Sequence, residues 1–452
     1  MLVRSRMPVL GRVGLLASAV GLAACSSGAG GIKPLAASFG GAGVEADGGD
    51  GSGGGRSGKK SRSSADALDG NSGLVDNGSG RVQPTASVQD ASEIDRLITD
   101  HAAKNPGRNV LYARIDHLSH DKSQTAELNV VRFGLTKVLN SVSTSPQIVK
   151  LNAIDDAQTV FRINMDEYAQ AGAVSRLGSA AFAQQNMQQI GGATVVKGDW
   201  LVYALSRPEV YDYLLRLPQL GRMLEATLRV DYNQAKYVNT DRSDVTFDGR
   251  VLMRMPLEIG GKPGGYYWRS YDFGRKDVLQ RGFADPKSLR TTAIPDLVAG
   301  EIIYSLPNGM QAYYLIGFGD QHRFDVPAGG ISGGTPTLPV ATDMRRPQDG
   351  LRNCVGGKAP CGYVINGESC MSCHSAGVNA PTNAVGTHGA SLEEMNAYIR
   401  QDRERFTGAL SEMGYPDVSE EPILSTCRIF LADRAVSDKR NQASEVPGLI
   451  GR

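Results

Sequence analysis

Between Ser26 and Gly80 the chain carries glycine at 17 of 55 positions, and this stretch limits where a folded body can lie. Segments such as Gly51-Ser52-Gly53-Gly54-Gly55 bury too little apolar surface to offset the backbone entropy that folding removes. No periodic apolar pattern begins before residue 93, so residues 25–92 read as a disordered tether. The span from Cys25 to Glu93 then has an r.m.s. reach of roughly 45 Å. Of the 452 residues, those after the tether suffice for two domains of ordinary size. Lys plus Arg is 48 and Asp plus Glu is 47; so balanced a chain lacks the basic footprint of a nucleic-acid binder. No run reaches the roughly 18 consecutive apolar residues of a spanning helix.

The N-terminus reads as an address and an anchor. Arg4, Arg6 and Arg12 form a basic n-region, and Val13 to Leu22 is too short to span a bilayer but suits the apolar core of a signal peptide. It ends in Leu22-Ala23-Ala24-Cys25, which looks like a bacterial lipobox. Residues 1–24 are then a lipoprotein signal peptide, and the Cys25 thiol carries the lipid. Ser26 after the cysteine resembles lipoproteins passed on to the outer membrane. Acyl chains anchor such a protein without a transmembrane helix, facing the periplasm or the cell surface.

Residues 93–345 read as a mixed α+β domain. Leu128, Val131, Leu135, Val138 and Leu139 share one helix face. Thr159 to Asn164 alternates as a strand does. Trp200 to Leu217 carries two periodic stretches divided at Arg207-Pro208. Strand-like pieces follow at Tyr266-Tyr267-Trp268 and Tyr271-Asp272-Phe273. Residues 301–318 read as a hairpin around Pro307-Asn308-Gly309. The region contains no nucleophile elbow, Walker loop or H-E-x-x-H.

Residues 346–452 hold the chemistry. Cys370-Met371-Ser372-Cys373-His374 is C-x-x-C-H, the attachment motif of c-type haem. Cysteines three positions apart lie on one helical turn, so each thiol can add across a haem vinyl group. His374, next in the chain, supplies the proximal iron ligand. Two other readings compete. A thioredoxin-like dithiol needs a βα approach that the Gly-rich segment before Cys370 does not supply. A zinc site of Cys354, Cys361, Cys370 and Cys373 has four sulfurs at irregular spacing. Cys354 and Cys361 enclose a short loop in an exported chain, so a disulfide between them is expected. That leaves Cys427 as a buried thiol, although pairing through Cys427 stays open.

Several blocks resemble a bacterial cytochrome c domain-containing lipoprotein family: Gly198-Asp199-Trp200-Leu201-Val202, Arg207-Pro208, residues 266–273, Gly300-Glu301-Ile302-Ile303 and residues 305–315. Its members end in a single haem motif preceded by Asn-Gly, as Asn366-Gly367 is here, and the likeness spans roughly residues 110–435. The resemblance implies a protein with one covalently attached haem c and no more specific role.

For the sixth iron ligand the sequence leaves several candidates. Ser391-Leu392-Glu393-Glu394 is a capping box opening a helix with Leu392, Met395, Ile399, Phe406, Leu410 and Met413 on its apolar face. Met413, at the helix end, is the leading candidate; small class I cytochromes similarly supply a Met well after the motif. Met395 reads as core. His388 in a Gly-flanked loop is the alternative, followed by His117, His120 or His322 of the middle region. Class I cytochromes carry an amphipathic helix before the motif, whereas residues 327–369 are rich in Gly, Pro and Thr. The expected fold is an α+β domain followed by a small, mostly helical cytochrome c-like segment.

The expected function is single-electron transfer with redox partner proteins of the envelope. The rivals are a haem enzyme or sensor with an open iron site, and a binding module with structural haem. If Cys25 bears the lipid, Cys25→Ser is expected to lose acylation and to leave the protein unprocessed or released from the membrane fraction. A normally acylated, membrane-held variant would overturn that reading.

Overall fold

The structure is a computed structural model that describes residues 91–118, 125–240, 250–273, 297–317, 320–321, 325–327, 363–381, 389–414 and 421–444. Cys25, the tether, Cys354, Cys361, His120, His322 and His388 lie outside the described residues. Contacts divide the chain into Met1–Gly80 and Arg81–Arg452, and everything below concerns the second unit. It is mixed in α and β structure.

The first sheet has the order β2-β3-β1-β5-β4, formed by β1 (Val110–Arg114), β2 (Asn152–Ala153), β3 (Val160–Asn164), β4 (Met187–Ile190) and β5 (Ala193–Lys197). The central strand β1 runs antiparallel to β3 and parallel to β5. The period of two decides what each face meets. Leu111 and Ala113 enter the main core, whereas Tyr112 turns to Ile94 and Ile98 of α1 (Ala91–Lys104). Gly191 and Gly192, at φ 55° and 82°, make the two-residue turn joining β4 to β5, a turn that needs positive φ at both positions.

The second sheet is an antiparallel meander in the order β10-β9-β8-β7-β6. Its strands are β6 (Lys236–Thr240), β7 (Arg250–Ile259), β8 (Lys262–Phe273), β9 (Leu297–Ser305) and β10 (Gln311–Gly317). The two aromatic pieces read separately at 266–268 and 271–273 form one twelve-residue strand, β8. The hairpin read at 301–318 is β9–β10, with Gly309 at φ 87° in the turn. Both sheet faces are covered. Tyr266, Trp268, Ile303, Tyr313 and Leu315 belong to the main core, and Tyr267, Tyr271, Ile302, Tyr304 and Tyr314 to a second one. A short ribbon of β11 (Asp325–Pro327) and β12 (Tyr363–Ile365) leads into the C-terminal segment.

The helix face read from residues 128–139 lies on α2 (Thr125–Ser141), with Val131, Leu135, Val138 and Leu139 fully buried. The short helices α3 (Ala173–Leu177) and α4 (Ala183–Asn186) precede α5 (Gly198–Ser206), every residue of which is buried. Pro208 then opens α6 (Pro208–Leu214) at its first position, where a missing N–H costs nothing. After α7 (Gly221–Leu228), the described residues of the C-terminal segment form α8 (Glu368–Cys373), α9 (Leu392–Glu412) and α10 (Pro422–Ser444). Ser391 caps α9 by accepting from Glu394 N at 3.0 Å, as the capping box implies. Helix α10 packs against α2 and α5, and α9 against β6, so the C-terminal helices complete a core begun some 300 residues earlier. Among the described residues no helix is long and apolar enough to cross a membrane.

The packing of α10 on α2 includes a buried ion pair, Lys137 Nζ to Glu421 Oε1 at 2.7 Å. Glu421 Oε2 also accepts from Leu424 N at 2.7 Å, capping the helix. Removing one partner of such a pair leaves the other charge buried, which costs about 3–5 kcal/mol. Glu421→Ala is expected to lose stability of that order in denaturant unfolding. Adding Lys137→Met should recover all but the roughly 1 kcal/mol of the lost cap. A double variant no more stable than Glu421→Ala would refute this account.

Candidate functional site

Cys370 to Cys373 of the C-x-x-C-H motif close the short helix α8, and His374 is its C-cap. Its entry residue Gly367 has φ 87°. A Cβ there would come within 2.6 Å of Ser206 O and 3.2 Å of the Tyr211 ring, so only glycine fits. Before it, the fully buried Asn366 donates from Nδ2 to Asp212 Oδ1 at 2.7 Å and accepts from Leu315 N at 3.1 Å. The Asn-Gly pair therefore ties the motif to α6 and β10. Glu368, also fully buried, accepts from Arg207 Nη1 at 2.6 Å, and Ser369 Oγ accepts from Ile365 N at 2.8 Å.

Within the motif, Cys370 is 1% exposed and Cys373 more accessible. Cys427 is buried as well, and none of the three is in a disulfide. Burial, the nearby Glu301 carboxylate and Cys373 push the Cys370 thiol well above its ordinary range. A dithiol oxidoreductase instead needs a stabilised thiolate, so this environment disfavours the thioredoxin-like reading.

His374 sits between two acceptors. Its Nδ1 lies 3.3 Å from Gly377 O and its Nε2 3.2 Å from Glu301 Oε2. A carbonyl and an ionised carboxylate can only accept, so the two contacts favour protons on both ring nitrogens. Burial works to lower the His374 pKa, but the Glu301 carboxylate and the Gly377 carbonyl outweigh it and raise the value. In return, His374 holds the Glu301 carboxyl below its usual range against the opposing effect of burial. The Tyr313 ring stacks on the imidazole, with centroids 5.9 Å apart and planes at 22°. The loop beyond is fastened by Arg403 Nε donating to Val378 O at 2.7 Å and Asn379 Nδ2 to Cys373 O at 3.2 Å.

These residues fit a covalently attached haem. Two thiols share one turn, and a backbone carbonyl takes the Nδ1 proton, which leaves Nε2 as the nitrogen for iron. One condition follows from the 3.2 Å contact. Iron at Nε2 would take the side that Glu301 Oε2 occupies, so a haem-bound His374 would have Nε2 deprotonated and parted from Glu301.

Among the described residues, the sixth-ligand candidates Met413 and His117 have neighbours other than His374. Helix α9 passes the motif loop at Arg403, and Met413 lies roughly 15 Å further along the helix axis. There it caps α9 and is buried in the second core with Phe406, Ala409 and Leu410. Met395 is buried in the main core, in keeping with its helix face. His117 has Asp199 as its neighbour, with Nε2 3.2 Å from Oδ1.

Glu301, Tyr313, Arg207, Glu368 and Asp212 have no site role in the sequence reading. Their partners lie 73 positions away for Glu301 and His374, 161 for Arg207 and Glu368, and 154 for Asp212 and Asn366. The only local signal was an ionisable residue inside an otherwise apolar block.

No family model, curated protein or solved structure matches the chain. The chain's own residues therefore carry the functional argument. In protein held free of haem, iodoacetamide at neutral pH is expected to modify Cys373 ahead of Cys370 and Cys427. Equal rates at all three, read by peptide mass spectrometry, would contradict the placement of Cys370.

Proposed function

We propose that the chain is an exported, lipid-anchored c-type cytochrome that carries one haem and passes single electrons to and from partner proteins at the cell envelope. The observation that carries this reading is a C-x-x-C-H motif whose two cysteines share one helical turn and whose histidine, at the C-cap, turns Nδ1 to a backbone carbonyl, 3.3 Å from Gly377 O. Cys370 and Cys373 hold the porphyrin through thioethers, and His374 Nε2 is the iron ligand. Haem so bound supplies a one-electron Fe(III)/Fe(II) couple whose potential the surroundings set. The Gly377 carbonyl fixes the orientation of the imidazole, and Tyr313 packs against its face. The carboxylate of Glu301 favours positive charge beside the motif. The lipobox at Cys25 and the Gly-rich tether place this cytochrome-like segment within reach of partners at one membrane surface, as an outer-membrane lipoprotein.

One observation favours a second reading. Met413 is buried in a different core from Cys370, an arrangement that suits an iron with an open sixth position, as in a haem enzyme or sensor.

Replacing Cys370 and Cys373 together by Ala is expected to abolish the haem stain that stays with denatured polypeptide on a gel. A stain persisting in that variant would end the haem c assignment. Spectra of the purified protein separate carrier from sensor. A six-coordinate carrier is low-spin in both oxidation states and binds CO poorly. If Met413 is the ligand, Met413→Ala should remove the thioether–iron(III) band, lower the potential and admit CO; if His388 is the ligand, His388→Ala should open the site instead. Ready CO binding by the unmodified protein would favour the open-site reading.

A further inference from the structure

Away from the haem motif, three segments converge on one point. The 3-10 turn Asp116–Leu118 supplies His117, the first turn of α5 supplies Asp199, and α10 supplies Asp433. One ligand atom from each lies within 4.8 Å of the others. The approach is built into the backbone. A Cβ at Gly198 would fall 2.5 Å from Ile115 Cγ2, so glycine is what lets α5 start against this turn and bring Asp199 to His117.

Asp199 is 1% exposed. Its Oδ1 and His117 Nε2 lie 3.2 Å apart, yet neither atom completes a hydrogen bond among the described residues. A buried carboxylate oxygen without a hydrogen bond is costly. Ligands bound to a common ion at roughly 2.0–2.2 Å stand about 3–3.5 Å apart, so the separation suits two ligands aimed at a shared cation rather than at each other. Asp116, the neighbouring carboxylate, is already committed: Arg114 Nε and Nη2 donate to its two oxygens at 2.8 and 2.7 Å. Asp433 is exposed. A cavity of about 290 Å³, lined by Arg114, His117, Asn186 and Lys197 among others, adjoins His117.

We propose that His117, Asp199 and Asp433 bind a divalent transition cation of the zinc class, which fastens α10 to the start of α5 and to the turn after β1. The imidazole selects such a cation over magnesium or calcium, which prefer oxygen ligands throughout. Water on the Asp433 side completes the coordination. The site does not depend on the haem reading, since it shares no residue with the motif.

The test uses purified full-length protein stripped of loosely held metal with a chelator. Zn²⁺ titrated by calorimetry should show one saturable site, and the thermal midpoint should rise with added Zn²⁺. Asp199→Asn and His117→Gln should each weaken the affinity by more than the roughly 10–100-fold that loss of an outer-shell partner costs and shrink the thermal shift accordingly. Asp433→Asn, at an exposed position, should weaken it as well. His101→Gln, on α1, should leave the titration unchanged. Failure of the unmodified protein to bind Zn²⁺, binding that survives all three ligand substitutions, or equal affinity for Mg²⁺ would each overturn the proposal.

Discussion

Helix α5 has no face toward water, and both sites depend on that. All nine of its residues are buried between α2 and α10, so its polar ends must find partners inside the protein. At the N-terminal end Asp199 meets His117. Just past the C-terminal end Arg207, 3% exposed, pairs with the fully buried Glu368 of the motif helix, its guanidinium 5.2 Å from the centre of the Tyr203 ring. From Asp199 to Arg207 is roughly 12 Å of helix. One buried segment thus sets the positions of the C-x-x-C-H turn and of the His117–Asp199 cluster.

Buried charge is the recurring device of this fold, and each instance joins distant parts of the chain. Glu225 of α7 takes hydrogen bonds from the hydroxyls of Tyr232 and Tyr267, at 2.6 and 2.9 Å, and pairs with Arg269. Arg269 in turn reaches Asp320 at 2.7 Å. Asp402 of α9 accepts from Trp268 Nε1 at 2.8 Å and from Arg254 Nε and Nη2 at 2.9 Å each. Desolvation makes such groups poor sources of net stability. What they do instead is admit one register and one docking orientation, because any other arrangement leaves a charge buried without its partner. That strictness suits a site in which two thiols and an imidazole must keep fixed relative positions.

Around His374 the same logic holds one side chain between distant partners. The imidazole lies between Gly377 O and the Glu301 carboxylate of β9, and Arg403 of α9 and Asn379 fasten the loop beyond it. The motif turn is thus held by contacts from β9 and α9 as well as by its own backbone.

Local order was legible from the sequence by itself. The apolar face of α2, the capping box of α9, the Asn-Gly turn of β9–β10 and the boundary at Pro208 each depend on residues within a few positions of one another, and each lies where its pattern placed it. The motif turn was legible for the same reason, since Cys370, Cys373 and His374 fall on one stretch of chain. Period-two patterns blurred where β8 is buried on both faces, and one strand read as two pieces. The surroundings of the site are a matter of tertiary structure alone. Glu301 beside His374, Arg207 under Glu368, Asp433 beside Asp199 and the seat of Met413 in the second core all pair residues far apart in the chain. Nothing in a local pattern encodes which distant side chain will neutralise a buried charge; that is settled only when the layers close and water is excluded between them.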